Sequence, residues 1–258
     1  MQTMSKLRGR RLPTDREGSG HAVREASPNG AWYGPVVRES VTRLCVVPEP
    51  VSDNRLGRAA RLVVLISGSG TLLQALIDAC ADPAYGAEIV GVGADRPSIQ
   101  GLQRAVCANI PTFVQSLHDH ANRAAWDRAL TADVAAYEPD LVISAGFMKL
   151  VGPEFLARFE GRMINTHPAL LPSFPGVYGP RDALAYGVKI TGATVFLVDS
   201  GVDSGVILDQ RAVPVADGDT VETLHDRIKV VEREMLVAIT HQLATRSWRV
   251  VDRKVLWT

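Results

Sequence analysis

"RLVVLISGSGTLLQALIDAC", residues 61–80, changes its period halfway along. Leu62 to Ile66 form a short apolar run with no polar face, the pattern of a strand buried on both sides. Thr71 to Cys80 carry their apolar residues at helical spacing. Between them lies Ser67-Gly68-Ser69-Gly70, whose glycines allow a sharp turn from strand to helix. Backbone N–H groups at such a helix start form an anion site. The loop is not a Walker A element, because no Lys follows the second Gly, and Leu73 fills the third position of a dinucleotide fingerprint. One phosphate suits it better than a pyrophosphate. Taken alone, the loop is read equally well as a tight turn with no ligand.

The alternation continues from there. "AEIVGVGAD" (87–95) is a second buried strand and "SIQGLQRAVCAN" (98–109) a second helix. "PTFVQS" is strand-like, "HANRAAWDRALTADVAAY" (120–137) a long amphipathic helix, "DLVISAG" a strand, "GPEFLARF" a helix opened by Pro153, and "RMINTHP" (162–168) a strand. Short apolar strands alternating with helices predict an α/β fold with a doubly wound, mostly parallel, Rossmann-like sheet. Such sheets bind ligands at the carboxyl ends of their strands, where "SGSG", "AGF" and "NTH" all fall. After Gly176 the pattern shifts. "GATVFLVD" and "VILDQRAVPV", joined by "SGVDSG", predict antiparallel C-terminal strands at the sheet edge. "TVETLHDRIKVVEREMLVAITHQLATR" (220–246) predicts a long C-terminal helix, and "SWRVVDRKVLW" a terminal strand or hairpin.

Residues 1–58 are different. They hold many Arg, Gly, Pro and Ser and only one strand-like piece, "VTRLCVVPEP". Such a segment buries too little apolar area to offset its ordering entropy. A poorly ordered N-terminal arm over 1–58 and a catalytic domain over 59–258 are expected. The arm is basic, but no apolar region follows, so it is not a secretory signal, and Asp15, Glu17, Glu25 and Glu39 argue against an organelle transit peptide.

The chain has 258 residues and no net formal charge, so nothing demands nucleic acid or an anionic membrane. No apolar run approaches the roughly 20 residues of a membrane span. Its three cysteines lie in three different segments without a CxxC pair, so a reducing, cytoplasmic setting is expected, with neither zinc knuckle nor disulfide framework. Six scattered histidines do not make a metal site.

The chemistry concentrates in "INTHPALLPSFPG", residues 164–176. Asn165 and His167 lie two apart on a strand and so share a face. Asn offers a neutral donor for a developing oxyanion; His moves protons near neutral pH. Asp203, in the glycine-flanked "SGVDSGVIL", reads alone as a turn residue. Beside an imidazole it would fix the tautomer. The three together suit attack by an amine on an acyl carbon. No Ser or Cys nucleophile stands in a suitable motif, so direct transfer is expected.

"VVLISGSGTLLQALIDA", "PDLVISAGFMKLVGPEFLARF", "GRMINTHPALLPSFPG" and "TGATVFLVDSGVDSGVIL" occur in this order. They resemble the phosphoribosylglycinamide formyltransferase family, folate-dependent enzymes of purine biosynthesis, over about residues 60 to 255. The resemblance implies formyl transfer from 10-formyltetrahydrofolate, as co-substrate and without a metal, to the amine of glycinamide ribonucleotide. It implies Asn165, His167 and Asp203 as the catalytic trio. The substrate phosphate would sit on the backbone of Gly70, Thr71 and Leu72. Glu232 would bind the glycinamide, Lys229, one turn earlier on the same helix face, would reach toward the phosphate, and Arg123 would meet anionic groups. The pterin would lie against Phe147, Met148, Lys149 and Leu150 and the loop from Asp199 to Asp203. The implied partners are these small molecules, with neither nucleic acid nor membrane; a homodimer is one assembly open to it. Without the resemblance, Lys229, Glu232 and Arg123 read as ordinary surface charges.

The chain departs from the family pattern at Tyr178 and Pro180, where many relatives carry histidine, at Phe196, where His is usual, and at Val206, where Pro is common. Leu72 replaces a common Asn. The nearest alternative is 10-formyltetrahydrofolate deformylase, a hydrolase with the same trio, but its N-terminal regulatory domain has no counterpart in residues 1–58. Methionyl-tRNA formyltransferase would need an Arg-Gly element where Ser173-Phe174-Pro175-Gly176 stands. A nicotinamide oxidoreductase would use Asp95 at the end of the second strand, but the third fingerprint glycine is absent.

Overall fold

The computed structural model describes residues 58–257. The strand-like "VTRLCVVPEP" and the rest of the expected arm lie outside the described residues, except Arg58. That side chain already belongs to the folded part: its guanidinium donates to both Asp140 carboxylate oxygens at 2.7 and 3.0 Å.

Nine strands and six α-helices follow among the described residues. They are β1 (Ala60–Ile66), α1 (Thr71–Cys80), β2 (Ala87–Ala94), α2 (Gln100–Cys107), β3 (Thr112–Val114), α3 (Arg123–Ala135), β4 (Leu141–Ser144), α4 (Pro153–Arg158), β5 (Met163–His167), α5 (Gly179–Tyr186), β6 (Ile190–Leu197), β7 (Ile207–Pro214), α6 (Val221–Thr245), β8 (Trp248–Val251) and β9 (Lys254–Trp257). Seven strands form one sheet in the order β3-β2-β1-β4-β5-β6-β7. β1 to β5 pair in parallel, while β6 and β7 add antiparallel, as the sequence predicts. β8 and β9 make a separate two-stranded hairpin.

Strand order reverses between β1 and β4, and at such a switch point the helices that follow the two strands leave to opposite faces and open a crevice. One core lies under α1 and α6, built from Leu62, Val64, Ile66, Leu76, Ile164 and Leu236. The other lies under α3 and α4, built from Val63, Leu65, Trp126, Val142, Phe155 and Met163. Alternate residues of β1 feed the two cores, which explains why Leu62 to Ile66 are apolar without interruption.

Helix ends are capped across elements. Asn122 caps α3 by accepting from Ala125 N–H at 2.9 Å. Asp127, buried on α3, accepts from Gly152 N–H at 2.6 Å and Glu154 N–H at 3.0 Å. It therefore holds the start of α4 and, with it, the end of the segment after β4. Helix α6 opens with a reciprocal Thr220–Thr223 capping box. Its buried stripe runs Leu224, Ile228, Glu232, Met235, Leu236, Ile239 and Leu243. One position of that apolar stripe is a carboxylate.

Candidate active site

β5 sets the geometry. Ile164 belongs to the α1/α6 core and Met163 to the α3/α4 core. By alternation Asn165 and His167 project toward the α3/α4 side, and Thr166 toward α6. The strand end thus splits the crevice into two compartments.

On the α3/α4 side the structure brings His167 and Asp203 together. His167 Nδ1 lies 3.5 Å from Asp203 Oδ2. Its Nε2 is 2.8 Å from the Phe174 carbonyl; a carbonyl only accepts, so Nε2 carries a hydrogen here. Asp203 Oδ2 also accepts from Gly176 N–H at 2.6 Å. Phe174 and Asp203 both have left-handed backbones, with φ of 54° and 51°, a conformation uncommon for a bulky ring such as Phe174 and better tolerated by Asp. The side-chain amide of Asn165 has no hydrogen-bond partner among the described residues. Asn165 pairs with Ser144 on one side and Phe196 on the other. Phe196 is 2% exposed, a buried apolar ring at the position where the resemblance implies an imidazole. Pro180 opens α5 and Tyr178 is its N-cap, stacked under Arg181.

The Phe147–Leu150 segment borders the same compartment. Phe147 packs into the α3/α4 core, stacked with Trp126 at 6.4 Å between centroids. Met148 and Leu150 are instead 63% and 61% exposed. Lys149 Nζ lies 3.5 Å from Asp95 Oδ2. Ser67 Oγ accepts from Met148 N–H at 2.8 Å and hydrogen-bonds Asp95. Burial pushes the Asp95 carboxyl up, but hydrogen bonds from Arg96 and Ser67 and the charges of Arg96 and Lys149 outweigh it and hold the group below its ordinary value. Asp95, which would be the ribose ligand of an oxidoreductase, is here the brace of the segment after β4. Arg123 donates to the Leu150 carbonyl and lies 5.6 Å from the Trp126 ring, so it joins this compartment. Asp199 accepts from Gly201 N–H at 3.0 Å and Ser204 Oγ at 2.8 Å; its carboxylate braces its own loop.

On the other side lie the glycine loop and Glu232. Gly70 is the N-cap of α1 with φ 70°, and a Cβ there would come 2.7 Å from Gly101 Cα on α2. Gly101 N–H donates to the Gly68 carbonyl at 3.0 Å, and Arg104 Nε donates to the Ser69 carbonyl at 2.9 Å. The loop is thus clamped by α2. Among the described residues no acceptor takes the N–H groups of Gly70, Thr71 or Leu72, as expected at a helix start. A cavity of about 670 Å³ adjoins the loop at Thr71 and is lined by Gln74, Arg104, Arg233 and Glu234. It holds none of the Asn165, His167 and Asp203 trio, which lies outside it.

Glu232 is 5% exposed. Burial pushes its carboxyl up to about 7, against a hydrogen bond from Thr166 and the charges of Lys229 and Arg233. It is not the ordinary surface charge expected of it without the family resemblance. Lys229, three residues before Glu232 on α6, is half-exposed, with Nζ 3.1 Å from Asp226, and its charge still acts on the Glu232 carboxyl. Sequence reasoning missed Thr166, Ser67, Arg104 and Asp127. One signal was available, since Glu232 falls four residues after Ile228 and four before Leu236, inside the apolar stripe. No group of three or more metal-ligating side chains gathers among the described residues, and none of their helices is long and apolar enough to cross a membrane.

The formyl transferase family matches residues 60–240. A phosphoribosylglycinamide formyltransferase from Mycobacterium tuberculosis is 59% identical over 194 residues, which span 75% of this chain and 89% of that one. A glycinamide ribonucleotide transformylase of known structure from Symbiobacterium toebii superposes with a TM-score of 0.75 at 41% identity, over 78% of this chain and 95% of that one. A phosphoribosylglycinamide formyltransferase from Brucella melitensis gives 0.70 at 41% identity, over 73% and 97%. The chain belongs to the formyl transferase family and, within it, to the phosphoribosylglycinamide formyltransferases.

Proposed function

We propose that the two compartments hold the two substrates of formyl transfer, and that β5 presents the catalytic groups where they meet. The glycine loop takes the phosphate of glycinamide ribonucleotide on the N–H groups of Gly70, Thr71 and Leu72. Glu232, on the same side of the sheet, receives the glycinamide amine; a buried carboxylate beside Thr166 is compensated by a cation. Met148 and Leu150 offer an exposed apolar surface, and Lys149 and Arg123 offer positive charge, which together fit the flat ring and anionic tail of 10-formyltetrahydrofolate.

The observation that carries the assignment is the 3.5 Å approach of His167 Nδ1 to Asp203 Oδ2, with Asn165 on the same strand face. As the amine adds to the formyl carbon, charge develops on the formyl oxygen. The Asn165 amide and the His167 ring stabilise it. Asp203 holds the ring and assists proton movement from the amine to the departing folate nitrogen. No covalent enzyme intermediate is required. The Phe174 carbonyl must release His167 Nε2 for that atom to face substrate, in keeping with catalytic hydrogen bonds that form fully only in the complex. Turnover of formylfolate measured with and without glycinamide ribonucleotide tests the proposal. Transfer that requires the amine supports it; equal turnover without the amine would make the chain a deformylase.

A further inference from the structure

The β8–β9 hairpin closes on Asp252-Arg253, between the paired residues Val251 and Lys254. Both turn residues are left-handed, with φ of 47° and 61°. A two-residue turn of this hand favours Asp or Asn first and Gly second. Asp252 fits that rule. Arg253 does not, since a Cβ disfavours this conformation and glycine adopts it freely. The side chain shows what is gained. Arg253 Nη2 donates to the Ser204 carbonyl at 2.7 Å and to the Gly205 carbonyl at 3.0 Å.

These carbonyls directly follow Asp203. The loop between β6 and β7 is closed at its base by the hydrogen bond from Leu197 N–H to the Val206 carbonyl at 2.8 Å. Asp199 braces its first half. In its second half, Asp203 stands in a left-handed conformation, with φ of 51°, so the aim of its side chain depends on how the peptides on either side of it are held. Gly176 N–H holds the carboxylate, and Arg253 holds the following two carbonyls.

We infer that Arg253 is a positioning residue: from the C-terminal hairpin it fixes the peptides that follow Asp203 and so keeps the carboxylate on His167. This role rests on Asp203 acting as proposed above. A guanidinium on two carbonyls is a stronger tether than a neutral donor, and it spans 49 positions of sequence.

The test uses the full chain and compares Arg253→Gly, Arg253→Lys, Asp203→Asn and the double variant Asp203→Asn/Arg253→Gly, each in formyl-transfer assays and thermal melts. Glycine suits the turn, so Arg253→Gly is expected to melt at or above the parent temperature. Its kcat is nevertheless expected to fall about tenfold, with KM for both substrates within about twofold. Arg253→Lys, which keeps one charged donor, should recover part of the loss. In the Asp203→Asn background, Arg253→Gly should cost nothing further, because both act through one carboxylate. A kcat for Arg253→Gly within about twofold of the parent, a loss that follows a lowered melting temperature, or a full additional loss in the double variant overturns the inference. If Asp203→Asn alone leaves kcat near the parent value, the assignment of Asp203 fails instead, and the two failures are separable.

Discussion

Asp95 Oδ2 lies 3.5 Å from Lys149 Nζ, and the same carboxylate binds the Ser67 hydroxyl that holds Met148 N–H. One buried acid at the end of β2 thus fixes both a backbone amide and a cation of the segment after β4. Asp95→Ala is expected to raise KM for formyltetrahydrofolate by about tenfold, the equivalent of about 1.4 kcal/mol, with KM for glycinamide ribonucleotide unchanged. Steady-state kinetics with each substrate varied in turn checks this. Equal changes in both constants would mean that Asp95 supports the fold in general and not that compartment.

The glycine loop is held from behind by α2. A Cβ at Gly101 would lie 2.5 Å from Ile66 Cδ1 and 3.0 Å from the Gly68 carbonyl, so something must shift. Gly101→Ala is expected to raise KM for the phosphate-bearing substrate about tenfold while sparing folate. Thr71→Ala should do much less, because the backbone N–H is the donor. Comparable damage from Thr71→Ala would show that the hydroxyl is the ligand.

Asn165→Ala, His167→Ala and Asp203→Ala are each expected to lower turnover about a hundredfold, the usual effect of losing a preorganised oxyanion donor, with KM little changed. Because Asn165 and His167 act on one oxygen, the double substitution should cost less than the sum of the singles. Single-turnover rates decide the matter; a His167→Ala enzyme within a fewfold of the parent removes the imidazole from the chemistry.

Glu232 ties stability to pH. Its carboxyl titrates about 7 when folded, against 4.5 ordinarily. Between those values the folded chain keeps a proton that the unfolded chain has released. Stability from this group is therefore complete below the lower value and is lost as pH rises through the upper one, by about 3 kcal/mol in all. His225, lowered by burial and by Lys229, acts in the opposite direction in an overlapping window. The comparison with Glu232→Gln isolates the carboxyl. Urea unfolding at pH 5 and pH 8 should show the variant gaining on the parent only at pH 8. A constant difference at both pH values would mean that Glu232 reaches water more freely than its surroundings indicate.

The sequence by itself determined the parallel α/β sheet, the antiparallel β6 and β7, the long α6 and the strand end bearing Asn165 and His167. Uninterrupted apolar runs, helical spacing and short glycine loops are local patterns, and each reports on one element without help from another. The resemblance, not the periodicity, pointed to Arg123, Lys229 and Glu232. Only the tertiary structure decided which packed layer each face of β5 meets, that Phe147 turns into the core, and that Glu232 is buried on α6. The same holds for Asp95 on Lys149, Asp127 on α4 and Arg253 on the Ser204 and Gly205 carbonyls. These contacts join residues 25 to 54 positions apart. A polar side chain's partner across such a distance is set by how elements pack, and a single sequence carries no period that marks it.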